Sequence, residues 1–197
     1  MVSLFKPNTL GIISEDAMNL LCQSGAMQTP HSGRHLFDHL IGTYQLLQSW
    51  DNPQWICLGG LFHSIYGTNA FTHQSFTPAQ RPLLQAVIGS DAEQLAWDFC
   101  TIERPGAIFA ALRRFGGAFG GAKNVQMEYR KWDALAEIEC ANLIEQGAWG
   151  RNLRELFCLG MEQNGILSIA AMAALREGWA TQLAKQDTTP VPERALK

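Results

Sequence analysis

An all-α single domain is predicted for this chain of 197 residues. Three observations carry the prediction. Apolar residues recur at spacings of three and four along several segments, as the buried face of a helix requires. No segment sustains the apolar–polar alternation of a half-buried strand. Helix-starting and helix-ending residues such as Ser14, Pro53, Ser90, Gly25 and Gly89 stand at the ends of the periodic stretches.

The elements follow in order. Ser14 to Gly25 is predicted as a short helix, with Ser14 as cap and Glu15 and Asp16 in its first turn. Residues 26–34 (AMQTPHSGR) form a loop marked by Pro30, Ser32 and Gly33. His35 to Trp50 is helical, because Leu36, Leu40, Tyr44 and Leu47 recur at spacings of four, four and three. Pro53 suits the first turn of the next helix, Gln54 to Tyr66, which is almost wholly apolar. Its adjacent Gly59 and Gly60 let another helix approach closely, so it is the central buried helix. A polar loop over 67–77 leads to helices at Pro78–Gly89 and Ser90–Cys100. Ser90 and Glu93 have the spacing of a capping box.

Residues 101–124 are less regular, with a helix at Ala107–Phe115 and the glycine-rich GGAFGG at 116–121. Glu128 to Gln146 is a long helix that turns Leu135, Ile138, Ala141, Leu143 and Ile144 inward. Helices at Leu153–Met161 and Leu167–Lys185 complete one domain over 1–185, and 186–197 is expected to be a disordered tail.

The bulk chemistry narrows the function. Charged residues make up 17% and the net charge is -3, with no cluster of Lys and Arg to engage phosphates, so nucleic acid is not expected as a partner. The low charge suggests that some faces are covered, and a homodimer is expected. The five cysteines include no CxxC pair and lie among apolar neighbours, as buried free thiols do in a reducing compartment. With no secretory-type leader and no apolar run of membrane-spanning length, a cytoplasmic, membrane-free protein is expected.

All five histidines, His31, His35, His39, His63 and His73, fall between residues 31 and 73. His35 and His39 are four apart and share a face if both are helical. Imidazoles at that spacing converge on one metal ion. The plainer alternative makes His63 a core histidine bonded to a carbonyl, with His35 and His39 on a wetted surface. Asp38 and Glu93 add carboxylates, although helix-dipole and capping roles account for both. The GGAFGGAKN stretch at 116–124 fails the P-loop test: Lys123 is displaced by one residue and Asn124 replaces Ser/Thr. It is read as a flexible loop.

The segment FDHLIGTYQLLQSWDNPQWICLGGLFHSIYGT (37–68) resembles the start of an HD domain. His39 matches that family's first His, and His63 the His of its His-Asp pair. AVIGSDAEQLAWDF (86–99) and AEIECANLIEQ (136–146) are similar to stretches of the ppGpp hydrolase branch. The order and spacing hold over roughly residues 31–146. The resemblance implies an HD-like helical bundle with additional C-terminal helices and a divalent-metal site. The ligand set departs from it. Ser64 stands where the pair has Asp, Asn142 where the later metal Asp belongs, and Gly67 and Thr68 where the hydrolases carry two acids.

His35 or His73 beside His39 and His63 would restore a three-histidine set suited to Fe, Mn or Zn. Some HD-fold relatives are di-iron oxygenases with extra histidines. Tyr66, three residues after His63, would face the same pocket and is a candidate catalytic residue together with Arg81. Arg34 or Arg81 would hold an anionic group. Ser64, Thr68 and Asn142 would line the substrate pocket with Arg34. Two readings stay open: a metal-dependent hydrolase or oxygenase acting on a small anionic molecule, and a degenerate, metal-free HD-like protein that binds a ligand or partner. A third is a purely structural helical domain.

Overall fold

In the computed structural model of this chain, which describes residues 13–115, 123–163 and 165–187, the fold is almost wholly helical. Nine helices occur among these residues: α1 (Glu15–Gln23), α2 (Leu36–Ser49), α3 (Gln54–Leu61), α4 (Arg81–Ile88), α5 (Ser90–Thr101), α6 (Gly106–Phe115), α7 (Lys123–Glu145), α8 (Arg151–Glu162) and α9 (Ile169–Asp187). A 3-10 turn at Pro78–Gln80 leads into α4. The predicted glycine-rich loop at 116–121 lies outside the described residues. Of the predicted tail, 186–187 belong to α9 and the remainder lies outside the described residues.

The periodic stripe on α2 is the reason that helix forms where it does. Leu36, Leu40, Tyr44 and Leu47 are all fully buried. Burying each side chain contributes roughly 1.5–3 kcal/mol. The predicted inner face of α7 also holds: Leu135, Ile138 and Ala141 are buried, and Leu143 and Ile144 are packed against the core. α3 is the central helix, packed between α2 and α5, and α7 lies across α2, α3 and α5. Gly59 faces Leu95 of α5 and Gly60 faces Leu47 of α2, so the paired glycines admit a helix on each side. α8 and α9 pack on the far part of α7, with the Trp149 and Trp179 rings edge to face at 5.5 Å.

Four local expectations are corrected. The loop at 26–34 contains a minimal hairpin, β1 (Pro30–His31) antiparallel to β2 (Arg34–His35). Ser32 (φ 48°) and Gly33 (φ 83°) form its two-residue turn, where positive φ at both positions suits the twist of paired strands. α3 ends at Leu61, and Phe62 leaves the helical region at φ −113°, ψ 13°. The spacing argument that put His63 and Tyr66 on one helical face therefore does not apply. Ser14 caps α1 as expected, accepting from the Ala17 N–H at 3.2 Å, but α5 has no side-chain cap. A capping box stands instead at Thr77 and Gln80. Finally, Cys57, Cys100 and Cys140 are buried free thiols, whereas Cys22 and Cys158 are exposed.

Candidate functional site

The β1–β2 hairpin folds back over the start of α2 and lays the His31 ring on that of His39, with centroids 4.5 Å apart. The chain thus recruits His31 to α2 without making it helical. His39 is fully buried and sits between two further histidine-chain contacts: His31 on one side and His63 on the other, the latter edge to face at 5.0 Å. His63 follows α3 and packs its ring edgewise on Phe99 of α5 at 5.0 Å. The Cys100 thiol donates to the His63 carbonyl at 3.1 Å, a second tie to α5.

The ring nitrogens follow from their partners. A carboxylate or a carbonyl can only accept. His39 Nδ1–H therefore donates to Glu145 at the end of α7, and His63 Nδ1–H donates to the Gly60 carbonyl at 2.7 Å. That leaves His39 Nε2 and His63 Nε2 facing each other at 3.2 Å, with both side chains buried. Glu145 also takes the Arg34 guanidinium. It reaches α2 because residue 42 is glycine: a Cβ there would lie 2.5 Å from Glu145 Oε1. Burial, and then the neighbouring His39, hold His31 down at about 4. The same two causes, in the same order, push His63 well below its ordinary value. Both are neutral imidazoles at neutral pH.

Beside this chain of rings lies a cavity of about 360 Å³. His31, His63, Ser64 and Thr68 line it together with Arg104, Glu139 and Asn142. Arg104, just after α5, is buried. Its Nη1–H donates to Glu139 at 2.6 Å, and its guanidinium lies 3.8 Å from the centre of the Phe99 ring. Asn69 Nδ2–H donates to the Arg104 carbonyl at 2.8 Å and so ties the 67–76 segment to Arg104. Three buried polar atoms of the lining have no hydrogen-bond partner: His31 Nε2, Ser64 Oγ and Arg104 Nε.

The backbone around Thr68 is also specified. Thr68 Oγ1 accepts from the N–H groups of Ala70 and Phe71, and the chain returns so that Ser75 and Phe76 both donate to the Ile65 carbonyl. Gly67 makes this turn at φ +79°, and a Cβ on it would stand 3.2 Å and 3.3 Å from the carbonyl oxygens of Thr72 and His73.

Of the residues singled out in the sequence, the structure brings His39, His63, Ser64, Thr68 and Asn142 together. Arg34 pairs with Glu145 and does not line the cavity. His35 stands apart: it is exposed and precedes the first residue of α2, so the four-residue spacing to His39 does not place them on one helical face. His73 is exposed as well, 3.3 Å from Thr29 Oγ1. Tyr66 and Arg81 meet at buried Glu93 rather than at the cavity. Glu93 accepts from Tyr66 Oη at 2.8 Å, from Arg81 at 2.7 Å and 2.9 Å, and from Gln85 at 2.8 Å. Burial pushes the Glu93 carboxyl up, but these donors outweigh it and hold it below its ordinary value. Sequence reasoning missed Arg104, Glu139 and Glu145. Each acts through a partner distant in the chain, and no local pattern marks it.

The HD-type metal set requires two histidines and two aspartates. The resemblance would place those ligands at His39, His63, Ser64 and Asn142, and neutral hydroxyl and amide groups are weak ligands for a hard divalent ion. Among the described residues, no group of three or more His, Cys, Asp or Glu side chains is arranged to hold a metal ion. The residues present do not fit that four-ligand site. No described helix is long and apolar enough to cross a membrane.

Residues 20–104 match the model of a family described as a domain of unknown function (DUF6817). The match runs from α1 to Arg104, so it includes His31, His39, His63 and Ser64 and stops before α7 supplies Glu139, Asn142 and Glu145. No curated protein and no solved structure matches the chain.

Proposed function

We propose that this is an HD-like protein that binds a small anionic molecule in the cavity beneath the His31 hairpin, without a metal of the HD type. One observation carries the reading: the three unpartnered buried atoms, His31 Nε2, Ser64 Oγ and Arg104 Nε, all belong to residues lining a single cavity. Buried polar atoms are normally satisfied, and each orphan costs about 1–3 kcal/mol. A bound molecule that completes all three accounts for their grouping. Arg104 supplies a cationic N–H donor whose charge is balanced by Glu139, and the neutral rings of His31 and His63 border the cavity. His31 has a free ring nitrogen and is the group placed to exchange a proton with the bound molecule.

A thermal-shift screen of small carboxylates, phosphate and sulfate at constant ionic strength tests this. At least one should raise the melting temperature in a saturable way, and His31→Gln should weaken the effect. If none of these anions binds, the reading fails.

A second reading rests on the 3.2 Å separation of the His39 and His63 Nε2 atoms. Two lone pairs at that distance need a cation between them. A proton meets that need; so does an Fe, Mn or Zn ion held by two histidines. Elemental analysis of protein purified aerobically and anaerobically decides between them. Stoichiometric metal that is lost in both His39→Ala and His63→Ala replaces the metal-free reading.

A further inference from the structure

We infer that the anion held in this cavity is a monocarboxylate rather than a phosphate, seated on Arg104 Nε and Ser64 Oγ. The inference rests on the proposed anion-binding function and names its ligand class. Its ground is the state of Arg104. The guanidinium is more than nine-tenths buried and is already paired with Glu139, which is buried to the same degree. One face lies over Phe99, and Nη1 is committed to Glu139; Nε–H is a fully buried donor of this side chain left without a partner.

Two consequences follow. Arg104 and Glu139 are formally neutral together, so the pair supplies hydrogen-bond donors rather than net charge, and every negative charge on the ligand adds a burial cost that the pair does not cancel. The cost of burying charge climbs steeply with its magnitude, and a dianion would also meet twice the repulsion from Glu139. The donor supply points the same way. The buried donors left unsatisfied beside Glu139, Arg104 Nε–H and the Ser64 hydroxyl, match the two oxygens of a carboxylate, whereas a phosphoryl group presents three strongly accepting oxygens. Ser64 is 3% exposed and its hydroxyl has no other partner. The remainder of the molecule faces Asn142, Gln146 and Thr68, so amide or hydroxyl groups on it would be satisfied. Arg34 and Arg81, the sequence candidates for this role, are occupied by Glu145 and Glu93.

Calorimetric titration of the full chain, with acetate, lactate, benzoate, inorganic phosphate and neutral acetamide as probes, tests the assignment. At least one monocarboxylate should bind, and phosphate and acetamide should not. Ser64→Ala should weaken that binding about five- to tenfold, the effect of one lost hydrogen bond. Arg104→Met/Glu139→Gln removes both buried charges together, which spares the fold a lone ion. It should weaken carboxylate binding about ten- to a hundredfold. Phosphate binding that exceeds every monocarboxylate overturns the ligand class while leaving an anion site in place. Carboxylate binding that is unchanged in both variants overturns the seat. Failure of every anion removes the underlying reading as well.

Discussion

Two arginines stack on rings of the same helix and pair with buried glutamates, yet they do different work. Arg81 lies 4.4 Å from the centre of the Trp97 ring and gives Nε–H and Nη2–H to Glu93. Tyr66 and Gln85 complete the Glu93 carboxylate. Arg104 lies over Phe99, gives one N–H to Glu139, and leaves Nε without a partner beside a cavity. The first network is closed and holds α4 to α5. The second is open on one side. Presence of charge does not separate a structural arginine from one that awaits a ligand; saturation of its hydrogen bonds does.

The comparison can be broken most forcefully at the closed network. Glu93→Ala leaves Arg81, Tyr66 Oη and Gln85 without their shared acceptor. It should cost about 2–3 kcal/mol of stability, read by chemical denaturation, because Tyr66 Oη and Gln85 lose a buried acceptor while the partly exposed Arg81 turns to solvent. Anion binding by the folded fraction should persist. Abolished binding in protein that is still folded would show that the two networks are coupled.

Acid separates the two regions next. The native-state pKa of His31 is depressed from 6.5 to about 4, so the unfolded chain takes up this proton first. Stability should fall as pH drops from about 6.5 to about 4, with His63 adding to the same slope, and His31→Gln should make it shallower. Glu93 is also depressed, from 4.5, so its contribution is present above that value and is lost as pH falls further. Glu93→Gln should flatten only this lower limb. Melting temperatures between pH 3 and 8 check both, and a His31 variant with an unchanged upper limb would remove the assignment.

The smallest and sharpest contrast lies two residues apart. Tyr66→Phe deprives Glu93 of a donor and should cost about 1–2 kcal/mol. Ser64→Ala removes a buried hydroxyl that has no partner, so stability should stay within about 0.5 kcal/mol or rise. The larger loss at Ser64 would mean that its hydroxyl has an internal partner and that the cavity is closed.

The helices were readable where their periodicity reports burial, as the stripe Leu36, Leu40, Tyr44 and Leu47 does. His39 and His63, paired in the sequence by a resemblance to HD domains, do meet in the structure. What failed was whatever depends on distant partners. Ser90 and Glu93 have capping-box spacing, but Arg81, Tyr66 and Gln85 together offer Glu93 more than one backbone N–H. Two-residue strands are too short to show alternation, so the hairpin that delivers His31 left only Ser32-Gly33 as its trace. Glu145 lies 106 positions from His39 and Glu139 lies 35 from Arg104; neither contact has a local signature.

The turn at Gly67 also limits what that position can become. Its backbone has a positive φ, with the carbonyl oxygens of Thr72 and His73 pressed against the missing Cβ. A glutamate introduced at 67 would meet a wall of main chain, which cannot swing aside as the end of a flexible side chain could. Varying this residue therefore requires the path of the chain between 67 and 76 to move with it, and an engineer wanting an acid here would have to transplant the whole segment.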